Sequence, residues 1–271
     1  MRWSRALTLQ SIKDNGGLET VKCTSDKSQK IPFDFLKSLV GERTQTLILR
    51  NITKDIFDKL YLLNTSNLKT LQIYSVDMRK VSSLEPLRNM RPESLTLDCF
   101  PNVLSLEPLR EMRPKNLSLW CFSKVSSLEP LRDMSPENLK LDYFSKVKSL
   151  EPLREMRPKV LNLGIFSNIE SLEPLQNMRP ESLNLSTIHC SEPTDSKQLE
   201  ILTPLSKMRP KNLFLSRIFN VKSLEPLREM RPENLTLEYF PNVASLEPLQ
   251  EMCPKNLELK NFTKVSYFDS G

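Results

Sequence analysis

Leu-Thr-Leu-Asp-Cys-Phe-Pro-Asn-Val-Leu-Ser-Leu-Glu-Pro-Leu-Arg-Glu-Met-Arg-Pro-Lys-Asn, residues 95–116, is one unit of a repeat that fills most of this 271-residue chain. The unit recurs every 22 residues apart from one gap of 30, and its first leucine falls at Leu95, Leu117, Leu139, Leu161, Leu183, Leu213, Leu235 and Leu257. Its Ser-Leu-Glu-Pro-Leu centre returns from Ser83–Leu87 to Ser245–Leu249, with a degenerate copy at Ile201–Leu205. A fixed period of this length predicts a solenoid, in which each unit packs on its neighbours.

Each part of the unit predicts a local structure. The Leu95-x-Leu97 pattern predicts a short strand with alternate residues buried. The next apolar residues come at steps of three, which is typical of 3₁₀ or irregular turns, and the recurring prolines exclude a long α-helix. One methionine per repeat predicts a core layer made of Met90, Met112, Met134, Met156, Met178, Met208, Met230 and Met252.

The ends of the array depart from the regular unit. Residues 1–46 do not fit it and are expected to form an N-terminal cap, and residues 47–271 are expected to form the solenoid. Within the cap, Ile31–Val40 predicts a short amphipathic helix because Pro32 stands at its entry and Gly41 follows its exit. Arg5–Ile12 suits a short strand or helix, and Cys23–Lys30 is polar enough for a loop.

One repeat carries eight extra residues, within 189–198. Insertions in a solenoid lie on one face as a loop. The sequence leaves open whether this loop makes contacts with a partner or is a tolerated insertion.

The repeat resembles the leucine-rich repeat, in the 22-residue class of the bacterial internalins and related short-repeat eukaryotic proteins. Its Val-x-Ser-Leu-x-Pro-Leu segment carries the resemblance over roughly residues 47–268. The family implies an α/β solenoid shaped as a curved horseshoe, with parallel strands on the concave face and short 3₁₀ or irregular turns on the convex face. Where the family carries an asparagine ladder, this chain has an apolar row: Phe100, Phe122, Phe144, Phe166, Ile188, Ile218, Phe240 and Phe262.

Composition restricts the functional class. Net charge is +6, but the charges alternate in sign, whereas nucleic-acid-binding proteins cluster their basic residues. No apolar run is long enough for a signal peptide or a membrane span. The odd count of five cysteines favours a reducing, intracellular setting, cytoplasmic or nuclear. We therefore expect neither nucleic acid nor membrane as a partner.

The same sequence predicts no catalytic, metal or cofactor site. His189 is the single histidine of the chain and is expected to lie in a surface loop. Five glycines are too few for a glycine-rich phosphate loop. The chain is therefore expected to be a non-enzymatic scaffold that binds a protein partner.

Positions that vary between repeats are not needed for the scaffold, so they are free to bind a partner. These are the outward residues of each strand and the residue that follows it, which would line the concave face. Trp and Tyr there are typical of binding hot spots. Trp120 and Tyr143 belong to adjacent repeats and are expected to lie side by side, with Asp98 and Asp142 beside them. The predicted partner-binding residues are Asp98, Trp120, Asp142, Tyr143, Phe214, Arg217, Glu238 and Tyr239. Drift on an unused face is the alternative explanation.

Two further alternatives stay open at this stage. The stacked Glu and Arg rows of the turns could be a solvated ion ladder or a strip that binds polyanions. The segments Ala6–Asn15 and Ile31–Leu36 also resemble the N-terminal box and cap of cullin–elongin receptors, although the cysteine of that box is missing. That resemblance implies a substrate-recognition adaptor of a cullin-type ubiquitin ligase as the alternative function.

Overall fold

The structure, a computed structural model, describes residues 9–25, 31–74, 80–190, 201–218 and 221–265. The chain divides into two compact units, Met1–Phe122 and Ser123–Gly271, and each is described by itself. The strands of the first unit are β1 Thr20–Thr24, β2 Thr46–Arg50, β3 Thr70–Tyr74, β4 Ser94–Asp98 and β5 Asn116–Trp120. Those of the second are β6 Asn138–Asp142, β7 Val160–Ile169, β8 Ser182–Cys190, β9 Asn212–Ser216, β10 Asn234–Glu238 and β11 Asn256–Lys260.

Within each unit the strands pair in parallel and in chain order. The register places equivalent repeat positions side by side, as in Leu95 opposite Leu117 and Leu213 opposite Leu235. A parallel strand can reach its neighbour only through a crossover, and here the crossover is the rest of the repeat. The predicted α/β repeat solenoid is therefore confirmed.

The core consists of the residues that repeat without change. Both leucines of the Leu-x-Leu pattern are buried in every described strand from β4 to β10. The methionine row is also buried, with no member more than 3% exposed. The phenylalanine rings stack at centroid distances of 5.6 Å for Phe100 and Phe122 and 5.7 Å for Phe144 and Phe166.

In the regular repeats, the Ser-Leu-Glu-Pro-Leu centre builds the turn that follows the strand. The Glu-Pro-Leu part forms one turn of 3₁₀ helix, as at Glu107–Leu109, with proline where no backbone donor is needed. The serine hydroxyl caps this turn, since Ser105 Oγ accepts a hydrogen bond from the Glu107 amide at 3.1 Å. The glutamate then accepts a forked hydrogen bond from the arginine three residues on, at 2.6 and 2.9 Å for Arg110.

The described part of the first unit also holds three α-helices: α1 Leu9–Asp14, α2 Phe33–Leu39 and α3 Lys54–Asp58. The helix predicted over Ile31–Val40 is confirmed as α2, with Pro32 at its N-cap. In place of the loop predicted from Cys23, the structure has Cys23 in β1, which pairs with β2. The sheet therefore begins within the segment predicted as the cap.

The second unit also holds a short helix, α4 Pro248–Met252, which precedes β11. In β11 the repeat leucine Leu257 is 47% exposed, in contrast to the buried leucines of the preceding strands. The predicted insertion falls almost wholly outside the described residues.

Candidate interaction surface

The outward side chains of the strands, with the residue that follows each strand, form the surface that we call the strand face. The outward residues within the strands alternate with buried leucines, so the register of the sheet fixes their orientation. All eight residues predicted from sequence lie at such positions. We describe the strand face of each unit separately.

In the first unit, the last positions of four neighbouring strands form one row: Arg50, Tyr74, Asp98 and Trp120. The Arg50 guanidinium lies over the Tyr74 ring, 4.2 Å from its centroid, which is a cation–π contact. Trp120 is 49% exposed at the end of β5, directly beside Asp98. The predicted exposure of Trp120 and its pairing with Asp98 are both found.

Asp98 is only partly exposed in this row, and its surroundings shift the pKa of its carboxyl. Burial raises the pKa of the Asp98 carboxyl, and the positive charge of Arg50 partly offsets that rise. A carboxylate that is partly desolvated beside exposed aromatic rings can bind a cationic group strongly, because little further water has to be removed.

Arg50 and Tyr74 were missed by the sequence argument. Both lie in repeats that begin at Leu47 and Leu71 and are 24 residues long, which departs from the regular 22-residue unit. The signal that could have found them is the register itself, since each stands three residues after the first leucine of its repeat, as Trp120 does.

In the second unit, Asp142 and Tyr143 lie at the end of β6. The Asp142 carboxylate covers Gly164 on β7, where an added Cβ atom would lie 2.5 Å from Asp142 Oδ2. Tyr143 donates its backbone N–H to the Gly164 carbonyl at 2.9 Å, and its side chain is 42% exposed. The missing side chain at residue 164 therefore makes the room that Asp142 occupies.

The remaining predicted residues of this unit gather on β9 and β10. The Arg217 amide donates to the Glu238 carbonyl at 2.9 Å, and the Ser216 hydroxyl donates to Glu238 Oε2 at 3.4 Å. Tyr239 follows Glu238 and is 41% exposed, whereas Phe214 is half-buried. Three strand spacings, about 14 Å, separate β9 from β6, so the predicted residues of this unit form two groups.

The residue after β2, β4, β5, β6, β9, β10 and β11 has a left-handed backbone, and so have Ile165 and Thr187 within β7 and β8. Examples are Tyr143 at φ 61°, Arg217 at φ 50° and Tyr239 at φ 60°. Such residues are strained unless they are glycine or asparagine, and the strain concentrates at functional positions. Here each is anchored by its amide to the carbonyl of the next strand, so Tyr143 and Tyr239 are presented on rigid backbone.

Between the two groups lies a polar region on β7 and β8. Asn162 and Asn184 are opposite each other, and Gly164 is opposite Ser186. The Asn184 side-chain oxygen is buried and accepts no hydrogen bond from the described residues. Buried acceptors are nearly always satisfied, so this oxygen is suited to accept an N–H from a bound partner.

Trp120 and Tyr143 belong to different units, so their predicted side-by-side arrangement stays a prediction. Among the described residues, no group of three or more His, Cys, Asp or Glu side chains is placed to hold a metal ion. No helix within the described ranges is long and apolar enough to cross a membrane.

Comparisons with protein-family models, with curated proteins and with solved structures gave no match to this chain.

Proposed function

We propose that this chain is a leucine-rich-repeat protein that binds a protein partner through its strand face and catalyses no reaction. The observation that carries the proposal is the exposure of three aromatic side chains there: Trp120 at 49%, Tyr143 at 42% and Tyr239 at 41%. In the same chain, Phe100, Phe122, Phe144, Phe166 and Phe240 are fully buried. Exposed Trp and Tyr on rigid backbone are the residues that contribute most to protein interfaces.

The chemistry beside these rings indicates the kind of partner. Asp98 neighbours Trp120, Asp142 precedes Tyr143, and Glu238 precedes Tyr239. A partner segment that offers apolar side chains with adjacent Lys or Arg would fit each pair. The odd number of cysteines favours a cytoplasmic or nuclear setting for this interaction.

The proposal is tested by capture from a cell lysate, with partners identified by mass spectrometry. The bait is the full chain, and the variants are Trp120→Ala, Tyr143→Ala and Tyr239→Ala, singly and combined. Tyr61→Ala is the matched control, because Tyr61 is 63% exposed but lies in a turn of residues 60–62 and not on a strand. Surface substitutions of this kind change stability by about 0.5 kcal/mol or less, so folding is retained.

We expect at least one captured protein to bind wild type and Tyr61→Ala equally and to lose affinity by about 2 kcal/mol or more in the combined variant. Retention of every captured protein by the combined variant would contradict the proposal. Equal loss in Tyr61→Ala, or no capture by wild type, would contradict it too.

A further inference from the structure

The turn that follows the insertion breaks the charge pattern of the other repeats. Its centre is Ile201-Leu202-Thr203-Pro204-Leu205, so threonine replaces the usual glutamate. Ser206 then replaces the usual Arg or Gln, and Lys207 stands where the other repeats carry Asn, Asp or Glu. Compared with a repeat such as residues 105–112, this one has lost two glutamates and one arginine and gained a lysine.

These three residues line a groove of about 790 Å³ in the second unit. Two arginines, Arg179 and Arg209, also line this groove. We call it the Thr203 groove. It is formed by residues of the turns and not by the strand face, so it is separate from the surface described above.

In most repeats the arginine three residues after the turn glutamate is neutralised by that glutamate, and the Thr203 repeat lacks both members of this pair. Arg154 bonds Glu151 at 2.6 Å and lies 3.5 Å from Glu173. At the edge of the Thr203 groove, Arg228 is similarly paired with Glu225 and Glu251. That pairing leaves Arg228 little charge to offer a ligand.

The other cations of the groove are not neutralised. Arg179, Lys207 and Arg209 make no ion pair with any described residue. Arg179 is nevertheless held in place, since its Nη1 donates to the carbonyl oxygens of Gln176 at 3.2 Å and Met178 at 2.8 Å. Among the residues that the structure describes, Glu229 is the one further carboxylate that lines the groove.

Three cations with one unpaired carboxylate, flanked by the hydroxyls of Thr203 and Ser206, form a site for a multiply charged oxyanion. A phosphoryl group fits best, because guanidinium groups bind its oxygens in a forked geometry and hydroxyls can donate to the remaining ones. We propose that the Thr203 groove binds a phosphoryl group through Arg179, Lys207 and Arg209. The phosphoryl group could come from a phosphorylated polypeptide or from a free polyphosphate.

Isothermal titration calorimetry measures the binding of two probes to the full chain. One probe is inorganic tripolyphosphate, and the other is a pentapeptide in which glycines flank a phosphoserine. The variants are Arg179→Gln, Lys207→Gln and Thr203→Glu. The last one restores the glutamate that other repeats carry, so it keeps the fold and adds a negative charge to the groove. Unfolding curves of all variants verify folding.

Arg91→Gln is the matched control. Arg91 occupies the same repeat position as Arg179, and its Nη1 also donates to two carbonyls, of Arg88 and Met90. It does not line the Thr203 groove. A loss caused by the removal of any capping arginine would appear in both variants, whereas loss of a groove ligand would appear only in Arg179→Gln.

We expect each groove variant to weaken binding of at least one probe by about tenfold or more, and Arg91→Gln to bind as wild type does. Tighter binding of the peptide would assign the source to a phosphorylated polypeptide, and tighter binding of tripolyphosphate would assign it to a free polyphosphate. The proposal is overturned if wild type binds neither probe, or if the groove variants bind like wild type. It also fails if a single-stranded oligonucleotide binds more tightly than both probes and depends on the same residues.

Discussion

At the scale of single residues, Asp98 is a partly buried carboxyl group on the strand face. Burial raises the pKa of its carboxyl, so the charged form is disfavoured in the folded chain. A threonine or serine would fill the same strand position without this cost. Residues that break local stability rules in this way are expected at functional sites.

The first residue-scale prediction follows from the sign of that shift. Because the folded state binds this proton more tightly than the unfolded state, stability falls as pH rises from the unfolded pKa, about 3.9, through the raised folded value. Asp98→Asn should therefore be more stable than wild type at pH 7, and the gain should vanish at acid pH below both values. Urea unfolding at the two pH values measures this difference.

Glu107→Gln is the control, with the opposite sign. The hydrogen bond from Arg110 lowers the pKa of Glu107, so its carboxylate adds stability at neutral pH that is lost as pH falls through the folded pKa. Glu107→Gln should thus be less stable than wild type at pH 7. A stability of Asp98→Asn equal to or below that of wild type at pH 7 would show that Asp98 is not held at a cost.

At the scale of elements, the segment predicted to be an N-terminal cap contains a close contact between two glycines. Gly17 has φ +87°, and a Cβ atom there would lie 2.6 Å from the Gly41 amide nitrogen and 2.9 Å from the Leu39 carbonyl oxygen. The segments are joined by hydrogen bonds from the Leu18 amide to the Leu39 carbonyl and from the Arg43 amide to the Gly16 carbonyl, both 2.9 Å. This contact fixes α1 against the end of α2.

The second prediction compares two neighbouring glycines with the same backbone handedness. Gly16 has φ +76°, but a Cβ atom there would meet only the flexible side chain of Arg43, at 3.3 Å. Gly16→Ala should lower the free energy of opening the cap by about 1 kcal/mol, the cost of the left-handed backbone. Gly17→Ala should lower it by about 2–4 kcal/mol, since backbone atoms must also move.

Hydrogen exchange of the amides in residues 31–40 measures this free energy of opening. Hydrogen exchange suits a solenoid better than global unfolding does, because each repeat interacts mainly with the repeats beside it. If Gly16→Ala and Gly17→Ala lowered the free energy of opening equally, the close approach of Gly17 to Leu39 and Gly41 would be contradicted.

The elements also show why sequence reasoning reached its limit where it did. Repeated residues have repeated environments, so the Leu, Phe and Met positions of the regular units predicted the strands, the stacked rings and the buried layer. β1 was missed because Thr-Val-Lys-Cys-Thr has only two apolar residues and precedes β2 by 26 residues, which is off the period. Left-handed residues such as Ile165 and Thr187 carry no local signal, since neither residue type favours that backbone.

For the candidate site, sequence variation found the strand face but not the relations within it. It predicted four exposed aromatic side chains, of which Trp120, Tyr143 and Tyr239 are exposed and Phe214 is half-buried. It could not find the contact between Arg50 and Tyr74, which depends on a repeat of a different length. Nor could it show that Gly164 makes room for Asp142, because that requires the neighbouring backbone.

At the scale of the whole molecule, each unit separates two kinds of surface. The strand face carries the aromatic and acidic residues that vary, and the turns carry a nearly constant set of Glu–Arg pairs. Such exposed pairs contribute little stability singly, but they leave the turn surface close to neutral. Where this set is interrupted, as at Thr203, the local charge therefore differs from that of the neighbouring turns. The same change would not stand out on an irregular surface.

The separation of the strand face from the core depends on the register of the strands. A shift by one residue would exchange the strand face for the core at every position. Trp120 reports on that register directly, because it lies one position after the buried Leu119 and is itself 49% exposed. The chain has two tryptophans, so the Trp3→Phe variant isolates its signal.

The most direct measurement is acrylamide quenching of Trp120 fluorescence in Trp3→Phe, in the folded chain and in urea. The register described here predicts that the indole of the folded chain is readily quenched, at a rate of about half that in the unfolded chain, in keeping with its 49% exposure. An indole that resists quenching until the chain unfolds would place Trp120 in the core and contradict the strand face.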